Sequence, residues 1–178
     1  MRTLFTQTNM FRQFDHAMFR SRLQHLTRRW GLTGALVIAA AVLFQQHFMF
    51  GLNASPSLPV GLFLIHKGTL PTQGHYVAFR WAGGGPHTAG TTFVKVIAGM
   101  PGDVVTRIDR DFFINGTHVG RAKPFSRQGV PLEAGPTGTL PAGRYYVRAP
   151  HPDSLDSRYR LTGWVTQSQI IGRAYALF

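Results

Sequence analysis

Three short stretches of the 178-residue chain carry side chains suited to acyl transfer. The first is Ser55-Pro56-Ser57-Leu58-Pro59, where two prolines restrict the backbone around Ser57. A serine nucleophile benefits from such fixed presentation, although Ser/Pro segments also make ordinary linkers and turns. The second is Thr92-Phe93-Val94-Lys95-Val96-Ile97. On a strand, Phe93, Lys95 and Ile97 share one face and Val94 and Val96 the other, so both faces are apolar. A lysine placed there either snorkels to water at a domain edge or is desolvated, which disfavours the ammonium and lowers its pKa. A neutral lysine can take the proton of a serine hydroxyl. The third is Asp153-Ser154-Leu155-Asp156-Ser157-Arg158. In an extended segment Ser154, Asp156 and Arg158 lie on one face. Asp156 and Arg158 can pair there, and Ser154 can hydrogen-bond the lysine nitrogen; a solvated polar turn is the alternative reading.

In content and order these stretches resemble the signal peptidase I family. Ser57 followed by Leu58 and Pro59 is similar to its nucleophile box. Phe93 to Asp103, with the tail Gly99-Met100-Pro101-Gly102-Asp103, is similar to its lysine box, and Ser154 to Arg158 to its SxDSR box. The resemblance covers roughly residues 53–172. It implies Ser57 as nucleophile, Lys95 as general base, and Ser55 together with the Ser57 backbone N–H as oxyanion donors. It implies Ser154 as the group orienting Lys95, with Asp156 and Arg158 supporting the site. It also implies the family's antiparallel β architecture, with the active site facing the membrane. Departures occur before the third box, at Ala149-Pro150-His151-Pro152-Asp153, and after it, at Tyr159 to Val165. The small size, the wording Pro56 to Phe63 and the Ser157-Arg158-Tyr159 continuation are closer to the TraF-like branch, which processes conjugative pilin precursors.

Such a site must be held at a membrane by the elements around it. No Lys, Arg, Asp or Glu occurs between Arg29 and Lys67. Within that gap the apolar run from Trp30 resumes after Gln45-Gln46-His47 and predicts a spanning helix from about Trp30 to Phe50, on the order of 30 Å long. Arg2, Arg12, Arg20, Arg22, Arg28 and Arg29 precede it, against a single Asp15. That asymmetry predicts a cytoplasmic N-terminus and, beyond the span, a periplasmic remainder in a bacterial inner membrane. The expected organisation is a basic segment 1–29, a membrane anchor 30–52 and a peptidase domain 53–178. Ala39, Ala40 and Ala41 leave a cleaved signal peptide as the alternative.

Beyond Asn53 the signals are mainly β. Apolar runs at 62–65, 76–79, 93–98, 103–108 and 144–149 alternate with Gly and Pro clusters. Asn115-Gly116 predicts a type I′ hairpin turn. Residues 123–143 read as a long irregular excursion, 170–178 as a closing strand, and Gly83-Gly84-Gly85 as a hairpin loop. The predicted fold is one antiparallel β-sheet or barrel-like domain behind one transmembrane helix.

The formal net charge of +12 invites a nucleic-acid reading, but no basic run or aromatic-interleaved stripe follows the N-terminal arginines. No nucleic-acid partner is expected. The chain has no cysteine, which excludes disulfides and a thiol nucleophile. Its eight histidines show no short ligand spacing, so neither metal nor cofactor is expected. The expected partners are membrane lipid and a pilin-like precursor with small residues at the cleavage site, lying extended near the bilayer. Hydrolysis and cyclisation of that precursor need the same dyad. The competing readings are a general signal peptidase acting on secretory signal peptides and a non-enzymatic scaffold of a conjugation apparatus.

Overall fold

The computed structural model describes residues 30–53, 55 and 57–178. The expected basic segment 1–29 lies outside the described residues. The chain divides into two units, Met1–Gln46 and His47–Phe178.

A helix, α1, runs over Trp30–His47 and has the length and apolar composition to cross a membrane. At 18 residues it is about 27 Å long, close to a bilayer's hydrocarbon thickness. The predicted continuation to Phe50 is not helical. Phe48–Leu52 instead forms a strand, pairing Phe48 with His66 and Leu52 with Leu62. Two apolar runs therefore adjoin, and they satisfy their backbones differently. The first closes its hydrogen bonds internally, while the second borrows a neighbouring strand, with Phe48 stacked on His66 at 4.7 Å.

Among its described residues the second unit has eleven strands: β1 Phe48–Leu52, β2 Leu62–Lys67, β3 Tyr76–Arg80, β4 Thr92–Gly99, β5 Val104–Ile108, β6 Asp111–Ile114, β7 Thr117–Arg121, β8 Gly138–Thr139, β9 Arg144–Arg148, β10 Val165–Thr166 and β11 Ile170–Ala176. They make a seven-stranded sheet in the order β1-β2-β11-β3-β4-β9-β10 and a four-stranded sheet in the order β7-β6-β5-β8. Every pairing is antiparallel. The five predicted apolar runs, the hairpin and the closing strand are all present, and the 123–143 excursion is irregular apart from β8 and two isolated bridges. The short β8 and β10 carry too few residues to show a period in sequence.

Two apolar clusters pack on the large sheet. One joins Val77, Phe79, Trp81, Ile97 and Val147; the other joins Leu58, Phe63, Ile65, Ala78 and Ala174. Because Val77 and Ala78 belong to different clusters, β3 is covered on both faces, which is why its residues read as a continuous apolar run. A third cluster, including Ala98, Phe112, Leu140 and Tyr146, lies between the small sheet and the ends of β4 and β9. Burial of each large side chain contributes about 1.5–3 kcal/mol.

Local chemistry fixes the junctions. The β6–β7 turn has Asn115 and Gly116 at φ 49° and 79°, the left-handed pair that a type I′ turn needs. The Gly99 to Asp103 stretch turns the chain from one sheet to the other. There the Asp103 carboxylate accepts from the Met100 N–H at 2.7 Å, and Gly102 takes φ 94°. On β11 a bulge falls between Ile170 and Gly172. A Cβ on Gly172 would lie 1.9 Å from the His66 carbonyl oxygen, so only glycine fits.

Candidate active site

The loop from Asn53 to Gly61 joins β1 to β2 and carries the first predicted box. It is closed at its neck by the Asn53 N–H, which donates to the Gly61 carbonyl at 2.9 Å. Leu58 anchors it from below, buried among Phe63, Ile65 and Ala174. That anchor fixes the neighbouring Ser57, itself only 8% exposed.

Lys95 sits in the middle of β4, opposite Val77 of β3. Alternation along the strand puts it on the face of Phe93 and Ile97, and its Nζ lies 5.7 Å from the Phe93 ring centre. Of the two readings open to this lysine, desolvation is the one the structure bears out: the residue is 6% exposed. Burial pushes its pKa down from 10.5 to about 8; the Asp156 carboxylate opposes the shift, and the Arg158 guanidinium adds to it. The Lys95 Nζ and the Ser57 Oγ, separated by 38 residues in sequence, lie 3.1 Å apart. The Oγ of Ser55 lies 2.8 Å from the Oγ of Ser57 on its other side.

The third box runs beside β9. Ser157 exchanges two hydrogen bonds with Val147, both at 3.0 Å, so the segment is laid along the strand. Asp156 has no exposed surface, accepts from the Ala149 N–H at 3.1 Å, and pairs bidentately with Arg158. The guanidinium also donates to the Arg121 and His151 carbonyls, each at 3.2 Å, tying the box to β7. Asp156 and Arg158 are thus the ion pair foreseen from their spacing.

Ser154 departs from expectation. It is buried at 3% exposure and lines the same cleft as Ser57 and Lys95, yet its Oγ has no hydrogen-bond partner among the described residues. The expected bond to the Lys95 nitrogen is not made. Its backbone is held instead, by the His151 carbonyl at 3.1 Å and by Arg158 at 3.4 Å, while the amine turns to Ser57.

Two contributors escaped the sequence reading. Asn53 organises the serine loop with its side chain, and a lone Asn before a turn carries no sign of that. Asp153 pairs with Lys123 and, at 2.7 Å, with Arg127, which draws the irregular segment to the cleft. Its carboxyl is held down near 2, chiefly by the hydrogen bond from Lys123. These partners are some thirty residues away in sequence, so no local pattern links them.

Ser55, Ser57, Lys95 and Ser154 line one cleft of about 1230 Å³, walled by apolar side chains including Met49, Phe93, Leu155 and Leu161. A hydroxyl held against a desolvated amine is equipped for nucleophilic attack with proton transfer to nitrogen. Among the described residues no three His, Asp or Glu side chains converge as a metal-binding set.

Residues 23–178 match the family described as signal peptidase, peptidase S26. A signal peptidase I of Pseudomonas fluorescens is 29% identical over 143 residues, covering 61% of this chain and 49% of the relative. The chain therefore spans about half the length of that curated relative. The crystal structure of a signal peptidase I from Enterococcus faecalis V583 shares 27% identity at a TM-score of 0.40, covering 62% of this chain and 98% of that one.

Proposed function

Because the chain belongs to the peptidase S26 signal peptidase family, we propose that it is a membrane-anchored serine endopeptidase in which Ser57 attacks and Lys95 takes the proton. The observation carrying this reading is the 3.1 Å separation of the Lys95 Nζ from the Ser57 Oγ, with the amine's pKa pushed down to about 8 by burial.

In the proposed reaction the Ser57 Oγ bonds to a peptide carbonyl carbon as its proton passes to the neutral Lys95 Nζ. Charge gathers on the former carbonyl oxygen, where the Ser55 hydroxyl and the Ser57 N–H donate; each good donor contributes roughly 3–4 kcal/mol. The Lys95 ammonium then gives its proton to the leaving amine, and the C–N bond breaks. The resulting ester on Ser57 is released by water or by a terminal amine of the substrate. A cleft of about 1230 Å³ suits an extended polypeptide segment better than a small metabolite.

The precursor reading is a pilin-like protein with small residues beside the scissile bond, matured by a TraF-like enzyme anchored through α1 in a bacterial inner membrane with its β unit in the periplasm. The sequence from Pro56 to Phe63 and the Ser157-Arg158-Tyr159 continuation support that branch. General removal of secretory signal peptides is the second reading, favoured by the name of the Pseudomonas fluorescens relative. The deciding experiment expresses the full chain, Ser57→Ala and Lys95→Ala in a deletion strain and follows precursors by mass spectrometry. Both variants should accumulate uncut precursor; normal processing by either would overturn the dyad. A pilin alone accumulating selects the first branch, and many secretory precursors select the second.

A further inference from the structure

Among the described residues the Asn53 side chain makes four directed contacts to the serine loop. Its Nδ2 donates to the Leu58 carbonyl at 3.1 Å and to the Val60 carbonyl at 2.9 Å. Its Oδ1 accepts from the Ser55 N–H at 3.2 Å and the Ser55 hydroxyl at 3.0 Å. The partners fix which way the amide faces, since two carbonyl oxygens lie on one side and an N–H on the other. One side chain therefore staples both limbs of the loop and reaches the hydroxyl that touches Ser57.

We propose that Asn53 is a positioning residue of the active site: it holds the Ser55 hydroxyl beside the Ser57 Oγ and sets the direction of the hydrogen-bond chain Lys95–Ser57–Ser55–Asn53. The proposal rests on the serine–lysine reading above. Its chemistry follows from proton counting. The Ser55 hydroxyl has one proton and two oxygen neighbours, Asn53 Oδ1 at 3.0 Å and Ser57 Oγ at 2.8 Å. When Lys95 is an ammonium, it donates to Ser57, Ser57 donates to Ser55, and Ser55 donates to Asn53. The serine proton then points away from the base, and the site is at rest. When Lys95 is neutral, its lone pair accepts the Ser57 proton and the Ser55 hydroxyl is free to turn to the developing oxyanion. The Ser55 N–H, which donates to Asn53 Oδ1 at 3.2 Å whichever way the hydroxyl turns, keeps Ser55 in register for both arrangements. A hydrocarbon in its place leaves both carbonyls and the Ser55 hydroxyl without that partner.

The test uses the full chain in detergent micelles and a fluorogenic peptide with alanine on the acyl side of the scissile bond. Asn53→Leu should lower kcat by about 10²-fold, the scale of a misplaced oxyanion donor, with KM changed less than about threefold. In a Ser55→Ala background the same substitution should cost less than about threefold more, because the group it positions is gone. Asn53→Asp keeps the acceptor and nearly the shape. It places a carboxylate two hydroxyls from Lys95, which favours the ammonium, so the acidic limb of its pH–rate profile should move to higher pH. Wild-type kcat in a folded Asn53→Leu protein overturns the proposal. So does full additivity with Ser55→Ala. If Asn53→Leu does not fold, an unmoved acidic limb in Asn53→Asp overturns it. Ser57→Ala run in parallel separates the two levels: its persistent activity would sink the serine reading, whereas an inactive Ser57→Ala beside a normal Asn53→Leu sinks this proposal alone.

Discussion

Asp156 and Arg158 meet through two hydrogen bonds, each 2.8 Å long, on a carboxylate with no exposed surface. A buried pair of this kind is weak evidence for net stabilisation, because desolvation opposes the attraction. Breaking it is another matter. Asp156→Ala leaves a buried guanidinium without its counter-charge and should cost about 3–5 kcal/mol of stability. Urea unfolding of the variant measures this; a cost below about 1 kcal/mol would mean that Arg158 finds other partners.

Ser154→Ala should behave in the opposite way. The Ser154 Oγ is buried without a hydrogen-bond partner among the described residues, so removing it deletes an unsatisfied group and should leave the unfolding midpoint unchanged or slightly raised. Its place in the cleft with Ser57 and Lys95 gives it a use only once Lys95 carries the proton and has donors to spare. The expected outcome is a kcat reduced by about tenfold, the scale of a lost hydrogen bond to a charged group, with intact stability. Unchanged kcat would remove Ser154 from the reaction.

The parts of this site that were legible in the sequence are those with a local physical sign. Lys95 sits in an apolar strand, a pattern that admits either an amine snorkelling to water or a desolvated one, and only its burial in the fold decides between them. Asp156 and Arg158 share a face by alternation, and Asn115-Gly116 declares its turn. The 3.1 Å contact between Ser57 and Lys95 had no such sign from spacing, because 38 residues separate them; the order of the three boxes supplied it. Asn53 and Asp153 were missed because their effect lies in which atoms they reach across a loop. The end of α1 was misplaced because Phe48 to Leu52 is apolar in either conformation, and only the presence of β2 as a partner makes it a strand.

Lys95→Arg should abolish processing as completely as Lys95→Ala. A guanidinium does not deprotonate in proteins, so it has no lone pair to accept the Ser57 proton. Turnover should fall by at least about 10⁴-fold, on the scale that follows loss of a group acting as a unit with its nucleophile. Far-UV circular dichroism beside the peptide assay checks that the loss is chemical. Substantial Lys95→Arg activity would mean that the lysine serves only as a positive charge.

The depressed pKa of Lys95 links activity to stability through opposite signs. On the proposed serine–lysine reading activity needs the neutral amine, so kcat/KM should fall tenfold per pH unit below about 8 and level off above it. Stability follows the proton count. Between the folded pKa of about 8 and the unfolded value of 10.5, the unfolded chain binds a proton that the folded protein lacks, so stability rises with pH across that window. Below about 8 the whole difference stands against the fold, and a shift from 10.5 to about 8 corresponds to roughly 3 kcal/mol. Lys95→Met keeps most of the volume and removes the charge. It should therefore be inactive and yet more stable than the native protein at pH 7, by up to about 3 kcal/mol, with the advantage shrinking as pH approaches 10.5. Urea unfolding of both proteins at pH 7 and pH 10 reads the effect directly. A Lys95→Met variant less stable than native at pH 7 would show that the ammonium is well solvated or well paired in the fold, and the case for a neutral lysine base would fail with it.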